Sequence, residues 1–436
     1  MLLRIEDTDV ERSRQHHAEQ IISSLHWLGV TWDEGPVYQS DRLERYRERS
    51  DELVVNGKAY RCYCTVEELE EDRARAEASG KPYRYSGKCR ALAESGEPQP
   101  VDVPHVVRFR VPHGAIEFDD MIRGHVHFEG DLIDDFVIIR SDNYPTYHLS
   151  VVVDDIDMEI THVARGDDHL SNTPKHVLLF RAFHAAVPVF AHLPLILGGD
   201  KKRLSKRTGA TSAEEYRDIG IVPEALFNFL VLLGWSPGGD RELITVDEAA
   251  AIFDLADVNK SPAVFDPEKL LWMNGQYLMR MTPEAIYPHL LRFLGDAPPP
   301  LASIRAAIEL NKSRGRTLKD VADQLQPFLA PDDAIEYEED AARKHLKGED
   351  LAERLAALRS TLAATDPFDV VSTERALRGL AESSGLGAGK LIHPLRLALT
   401  GRGASPPIFD VAVALGRERT LARLQRLIDR LPSLIR

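Results

Sequence analysis

Apolar positions recur at two different periods along this chain. LLRI (Leu2–Ile5) predicts a short strand, followed by a loop and a helix over 11–28, where Ile21, Leu25 and Leu28 return at helical spacing. Between 101 and 153 the pattern shortens to alternation, as in VVRFRV and HVHFEGDLIDDFVIIR, which predicts an antiparallel hairpin meander. A helical period resumes over 173–183, and HLPLIL (192–197) reads as a short buried strand. Beyond Gly209 the chain is helical in character to its end. Over 317–329, Leu318, Val321, Ala322, Leu325, Phe328 and Leu329 share one helix face. DAPPP (296–300) breaks helices, and the charged stretch 331–350 predicts an exposed seam or a solvated helix. There is no internal repeat and no low-complexity tract.

The 436 residues suffice for two to four domains, and 28% charged against 43% hydrophobic residues excludes a disordered or collagen-like chain. The apolar stretch 225–235 is too short to span a bilayer. The start, MLLRIEDTDV, turns acidic at its sixth residue, unlike a signal peptide. Three cysteines are too few for a disulfide scaffold, so a cytoplasmic location is expected. Net charge is −15, yet residues 375–436 carry +7 and the remainder −22. A basic end on an acidic body suits either a local polyanion site or an arginine-rich solvated helical surface.

Two segments carry candidate chemistry. The first is KKRLSKRTG (201–209), which follows GGD and an apolar strand. Cations and a hydroxyl on a Gly-flanked loop suit a polyphosphate, although basic runs are also common on plain surfaces. It is not a Walker A loop, because GxxxxGK[ST] is absent. The second is Cys62-Tyr63-Cys64 with Cys89 further on, which fits either a zinc knuckle or three reduced structural thiols. The 16 histidines show no HExxH-type spacing.

RLSKR (203–207) resembles the KMSKS signature of class I aminoacyl-tRNA synthetases, in the form found in bacterial glutamyl-tRNA synthetases. LLRIEDTDVERS (2–13), YPTYHLSVVVDDIDMEITHVARGDDHLSNTPKH (144–176), VPEALFNFLVLLGWS (222–236), FDPEKLLWMNGQYL (265–278) and KLIHPLRLALTG (390–401) resemble that family in the same order. The resemblance covers essentially the whole chain. It implies an α/β fold: an incomplete Rossmann-like catalytic domain (1–45 and 146–201) with an α+β insertion (46–145) that holds the tRNA acceptor end. All-α regions follow: the KMSKS loop and stem-contact domain (202–283) and an anticodon-binding helical region (284–436), with a subdomain seam near 331–350.

By the same resemblance, Glu6 binds the α-amino group of glutamate, Arg165 grips its side-chain carboxylate, and Tyr147 adds a hydroxyl. Each has a plainer alternative: a capping acid for Glu6, an ion pair with Asp167 or Asp168 for Arg165, a core aromatic for Tyr147. Lys206 stabilises the triphosphate of ATP with support from Ser205 and Arg203, while Asp168 and His169 lie near the nucleotide. Arg396 and Arg402 are placed at the anticodon. Some relatives bind Zn²⁺ at the cysteine knuckle, and Tyr85 fits the spacing of a fourth ligand beside Cys62, Cys64 and Cys89. Val151 stands where the family often has Asn, so one polar contact of the pocket is missing.

The implied reaction is ATP- and Mg²⁺-dependent activation of L-glutamate and transfer to tRNA-Glu, with tRNA-Gln as a further acceptor left open, by a monomer without membrane contact. The family's second signature, HIGH, in a P-S-P-T-G-x-L-H-V-G-like stretch, does not occur in these 436 residues. The expectation is an upstream start codon and little activity for the chain as written. A non-catalytic tRNA-binding fragment is the alternative. The related glutamyl-queuosine tRNA-Asp synthetase is disfavoured by the helical region after 284.

Overall fold

The computed structural model describes residues 1–8, 15–80, 83–96, 100, 103–204 and 212–434. They fall into two compact units, one of Met1–Thr211 with Phe227–Asp266, the other of Ser212–Leu226 with Pro267–Arg436.

The first unit carries the strands: β1 (Leu2–Ile5), β2 (Glu34–Tyr38), β3 (Ala59–Cys62), β4 (Val106–Phe109), β5 (Ala115–Asp120), β6 (Gly124–Glu129), β7 (Val137–Ile139), β8 (His162–Gly166), β9 (Val189–Leu193), β10 (Ile196–Leu197) and β11 (Ala263–Val264). β1 and β2 run parallel, as do β10 and β11. β3, β4 and β7 form an antiparallel sheet. The fourth sheet has the order β6-β5-β9-β8, with β5 and β6 antiparallel and β9 parallel to both β5 and β8.

The antiparallel pattern expected over 101–153 is present in the β5–β6 hairpin and the β4–β7 pair, but not as one meander to residue 153. Its strands are shared between two sheets, and Tyr147–Asp157 is a helix. The β-branched run in YHLSVVVDDID favours a strand locally. Burial of Leu149, Val151, Val152 and Val153 in the apolar core overrides that preference. Val151 lies in that core. HLPLIL is also two strands, parted at Pro194. In the helix Gln15–Trp27, Ala18, Ile22 and Leu25 face the β1 side chains Leu3 and Ile5, while Ile21 is half exposed.

Buried carboxylates tie β1 to this core. Asp154 is fully buried and accepts from Gln39 Nε2 at 2.8 Å, Arg42 Nε at 2.8 Å and the Tyr46 hydroxyl at 2.9 Å. Arg4 on β1 donates to Asp155 at 2.9 Å. Burial works against the Arg4 charge, but the Asp155 carboxylate prevails and raises its pKa. Strand β1, and with it Glu6, is thus held by charged hydrogen bonds as well as by packing.

The described part of the second unit is helical. Leu318–Leu329 buries the anticipated stripe, and Thr317 closes its N-terminus by a capping box with Asp320. The charged stretch 331–350 is not an open seam. It holds the helix Glu339–His345, buries Ile335, Ala341, Ala342 and Leu346, and packs against Gly389–Thr400. At Gly401 the chain turns with φ of 71°, and a Cβ would come within 2.0 Å of the Glu336 carbonyl oxygen. Only glycine satisfies both demands there.

Candidate active site

Arg165 lies near the end of β8, where the strand gives way to a tight turn over Asp167–Asn172. Its guanidinium has five N–H donors, and five acceptors surround it. Nε donates to His192 Nε2 at 3.2 Å. Nη1 donates to the Tyr147 hydroxyl at 3.2 Å and His176 Nδ1 at 3.3 Å. Nη2 donates to the His169 carbonyl oxygen at 3.4 Å and Thr173 Oγ1 at 2.8 Å. Among the described residues every partner is uncharged. The ion pair with Asp167 or Asp168 that the sequence left open does not form: Asp167 pairs with Arg123 at 3.0 Å and Asp168 with Arg203 at 2.9 Å.

Histidines dominate the surroundings. His148 Nδ1 lies 3.1 Å from His176 Nε2. Burial, then the charge of Lys175, pulls His148 down to about 4. Burial, then the charge of Arg165, pulls His176 well below its ordinary value. Burial also lowers His192, against the hydrogen bond it makes to Asp120. Tyr147 is raised by burial, although the Arg165 charge opposes this. Glu6 lies close enough to add to that rise, and its own carboxylate sits 3.7 Å from Arg4 Nη2. His169 packs its ring against Tyr147, with centroids 5.8 Å apart.

A largely apolar cavity of about 430 Å³ opens beside this cluster. Arg165, Gly166, Leu195, Ile196, Arg203 and Leu233 are among its walls. The basic loop is aimed at it by a tight turn: Lys201 N donates to Gly198 O at 2.9 Å and Gly198 N to Lys202 O at 2.8 Å, so Arg203 returns to pair with Leu197. Arg165 and Arg203 thereby share one cavity. Ser205 and Lys206 lie outside the described residues.

The cysteines converge separately. The thiol sulfurs of Cys62, Cys64 and Cys89 lie within 4.8 Å of one another. The Tyr85 hydroxyl is 3.4 Å from Cys62 Sγ and 3.8 Å from Cys64 Sγ. Burial opposes ionisation of Cys62, but hydrogen bonds from Tyr85 and the Cys64 backbone, with Arg108 nearby, lower its pKa. Burial, with the charge of Cys62, pushes Cys64 up to about 12. Three thiols and a phenol around one point suit a soft, tetrahedral cation.

Two arginines assigned to RNA are engaged within the protein. Arg396 donates to Ser405 Oγ and His393, and Arg402 to Gln324 and the Asp323 carbonyl oxygen. Sequence reasoning missed Asp120, Thr173, His176 and His192. The available signal was a histidine inside the otherwise apolar stretch FAHLPLIL.

Residues 1–272 match the family described as tRNA synthetases class I (E and Q), catalytic domain, and residues 284–428 match an anticodon binding domain. A glutamate–tRNA ligase 2 of Thermoanaerobacter pseudethanolicus is 42% identical, over 98% of this chain and 91% of its own length. A glutamate–tRNA ligase of Syntrophotalea carbinolica is 45% identical, over 99% and 91%. The crystal structure of a glutamate tRNA ligase from Elizabethkingia meningosepticum, in complex with its amino acid, superposes with a TM-score of 0.84 at 33% identity, covering 99% of this chain and 92% of that one. A catalytic α/β unit with a mixed sheet, joined to a helical anticodon-binding region, is the architecture of these relatives, and this chain belongs to the glutamyl-tRNA synthetase family of class I.

Proposed function

We propose that the chain is a glutamate–tRNA ligase whose amino-acid pocket is built on Arg165. The observation that carries this reading is the neutral cage: five uncharged acceptors hold the guanidinium, so its charge is left for a ligand carboxylate. Arg165 grips the side-chain carboxylate of glutamate by exchanging its two longest contacts, Nη1–H to His176 at 3.3 Å and Nη2–H to the His169 carbonyl oxygen at 3.4 Å, for the two carboxylate oxygens, which a lysine could not reproduce. The Tyr147 hydroxyl turns to the same carboxylate, and Glu6 binds the α-ammonium group. ATP enters as its Mg²⁺ complex, with its base in the apolar cavity and its phosphates toward Arg203, which exchanges Asp168 for them; the resemblance assigns Ser205 and Lys206 to the same phosphates.

The α-carboxylate oxygen attacks the α-phosphorus, the bond to the bridging oxygen breaks, and pyrophosphate leaves. The terminal adenosine hydroxyl of tRNA-Glu then attacks the acyl carbon and releases AMP. Side chains contribute position and charge, not covalent chemistry. Cys62, Cys64, Cys89 and Tyr85 would hold Zn²⁺, which supplies cross-linking of the strand–helix insertion and no step of the reaction.

Calorimetric binding of L-glutamate to the full chain tests the reading. Arg165→Lys is expected to weaken glutamate by about 100-fold. A chain that binds glutamine as well as glutamate, or a lysine variant that binds like the parent, would overturn it.

A further inference from the structure

Among the described residues, the carboxylate hydrogen-bonded to the Arg165 cage through His192 is Asp120, one imidazole away. Asp120 ends β5, fully buried with His192 on the neighbouring β9. Its Oδ1 accepts from the backbone N–H of Ile122 at 3.0 Å and Arg123 at 2.8 Å. Its Oδ2 takes His192 Nδ1 at 2.6 Å and the His192 backbone N–H at 3.1 Å. Burial opposes the carboxylate, but these donors keep its pKa below the ordinary value. An ionised Asp120 obliges His192 to carry its proton on Nδ1. The Nε2 lone pair then faces Arg165 Nε–H at 3.2 Å and the Thr173 hydroxyl at 3.0 Å.

We infer that His192, held in one tautomer by Asp120, is the positioning residue for Arg165: it fixes the guanidinium plane while keeping the Asp120 carboxylate off it. The inference rests on Arg165 as the glutamate-binding residue. A carboxylate placed directly on Arg165 would orient it equally well but would supply its counter-ion, and a glutamate side chain would then meet a neutral pair. The imidazole transmits orientation without charge. Selection of glutamate over glutamine, which differ at that group only in charge and donors, depends on this separation.

Two variants separate positioning from packing. His192→Leu removes the acceptor at similar volume. Asp120→Asn is isosteric: its Oδ1 keeps the Ile122 and Arg123 N–H groups and, at 3.3 Å, takes over the His192 backbone N–H, while its amide now donates toward His192 Nδ1. The ring must take the opposite tautomer, and an Nε2–H then opposes Arg165 Nε–H. Calorimetry on the full chain is expected to show glutamate weakened by about tenfold or more in both variants, with glutamine affinity unchanged, so the ratio of the two collapses. His192→Gln restores an acceptor and is expected to recover glutamate affinity to within about threefold. Unaltered glutamate binding in Asp120→Asn, or parallel losses for glutamate and glutamine, would overturn the proposal. Should Arg165→Lys itself bind like the parent, the assignment of the pocket fails first, and this inference with it.

Discussion

Arg423 Nε lies 2.6 Å from Asp332 Oδ1, and the arginine that makes this bond is fully buried. The same guanidinium donates to the carbonyl oxygens of Pro327, Leu399 and Ala330. Arg419 adds bonds to Asp332, Phe328 O and Ala330 O, and Arg426 one to Asp332 O. Several positive charges of the C-terminal region thus hold the segment 327–332 in place, a use of charge that neither sequence reading anticipated. Arg423→Leu is expected to cost about 3 kcal/mol or more, because three carbonyls lose a charged donor inside the protein. Urea unfolding would reveal it; a loss below about 1 kcal/mol would contradict the arrangement.

The thiol cluster predicts a metal content. Protein purified without chelator should carry about one zinc per chain by elemental analysis. Cys64→Ser should lose most of it, and Tyr85→Phe should weaken retention. Chelation should lower the thermal midpoint. Metal-free protein with an unchanged midpoint would leave three reduced thiols as the better description.

Acid should destabilise the cage. Unfolded histidines titrate near 6.5, whereas His148 in the folded chain is held to about 4 and His176 lies well below its ordinary value. The unfolded chain therefore binds more protons in that interval. The contribution is complete above about pH 6.5 and falls as pH drops toward about 4, by up to ~1.4 kcal/mol per pH unit for each histidine. Urea midpoints across this window should fall in the parent and fall less steeply in His148→Gln. Equal slopes would refute the assignment.

Lys206 is assigned to the transition state of activation, not to amino-acid binding. In an enzyme that carries the HIGH segment, Lys206→Ala is expected to slow adenylate formation by about 100-fold or more, with glutamate affinity changed by less than about threefold. Pyrophosphate exchange measured beside calorimetry tests the split, and similar losses in both would count against the role.

Legibility from sequence followed the range of the forces involved. The stripe from Leu318 to Phe328 was readable because helical period is local. Arg165, Tyr147 and Arg203 could be placed through motif resemblance: Arg165 and Arg203 line one cavity, and Tyr147 is hydrogen-bonded to Arg165. The Asp120–His192 pair was not readable: the residues are 72 apart and meet only because β5 runs beside β9. The helix Tyr147–Asp157 was misread for a related reason, since burial outweighs the strand preference of three consecutive valines.

The chain passes between its two compact units more than once, leaving the first after Thr211, re-entering at Phe227 and leaving again after Asp266. Neither unit is a contiguous stretch of gene. A truncation after residue 211 would discard Phe227–Asp266, and with it Trp235, Ile244 and Val258, which pack around Ile122 and Ala191. Splitting this enzyme for separate production therefore calls for a circularly rearranged or loop-bridged gene, and a nick at one peptide bond would not yield two self-sufficient pieces.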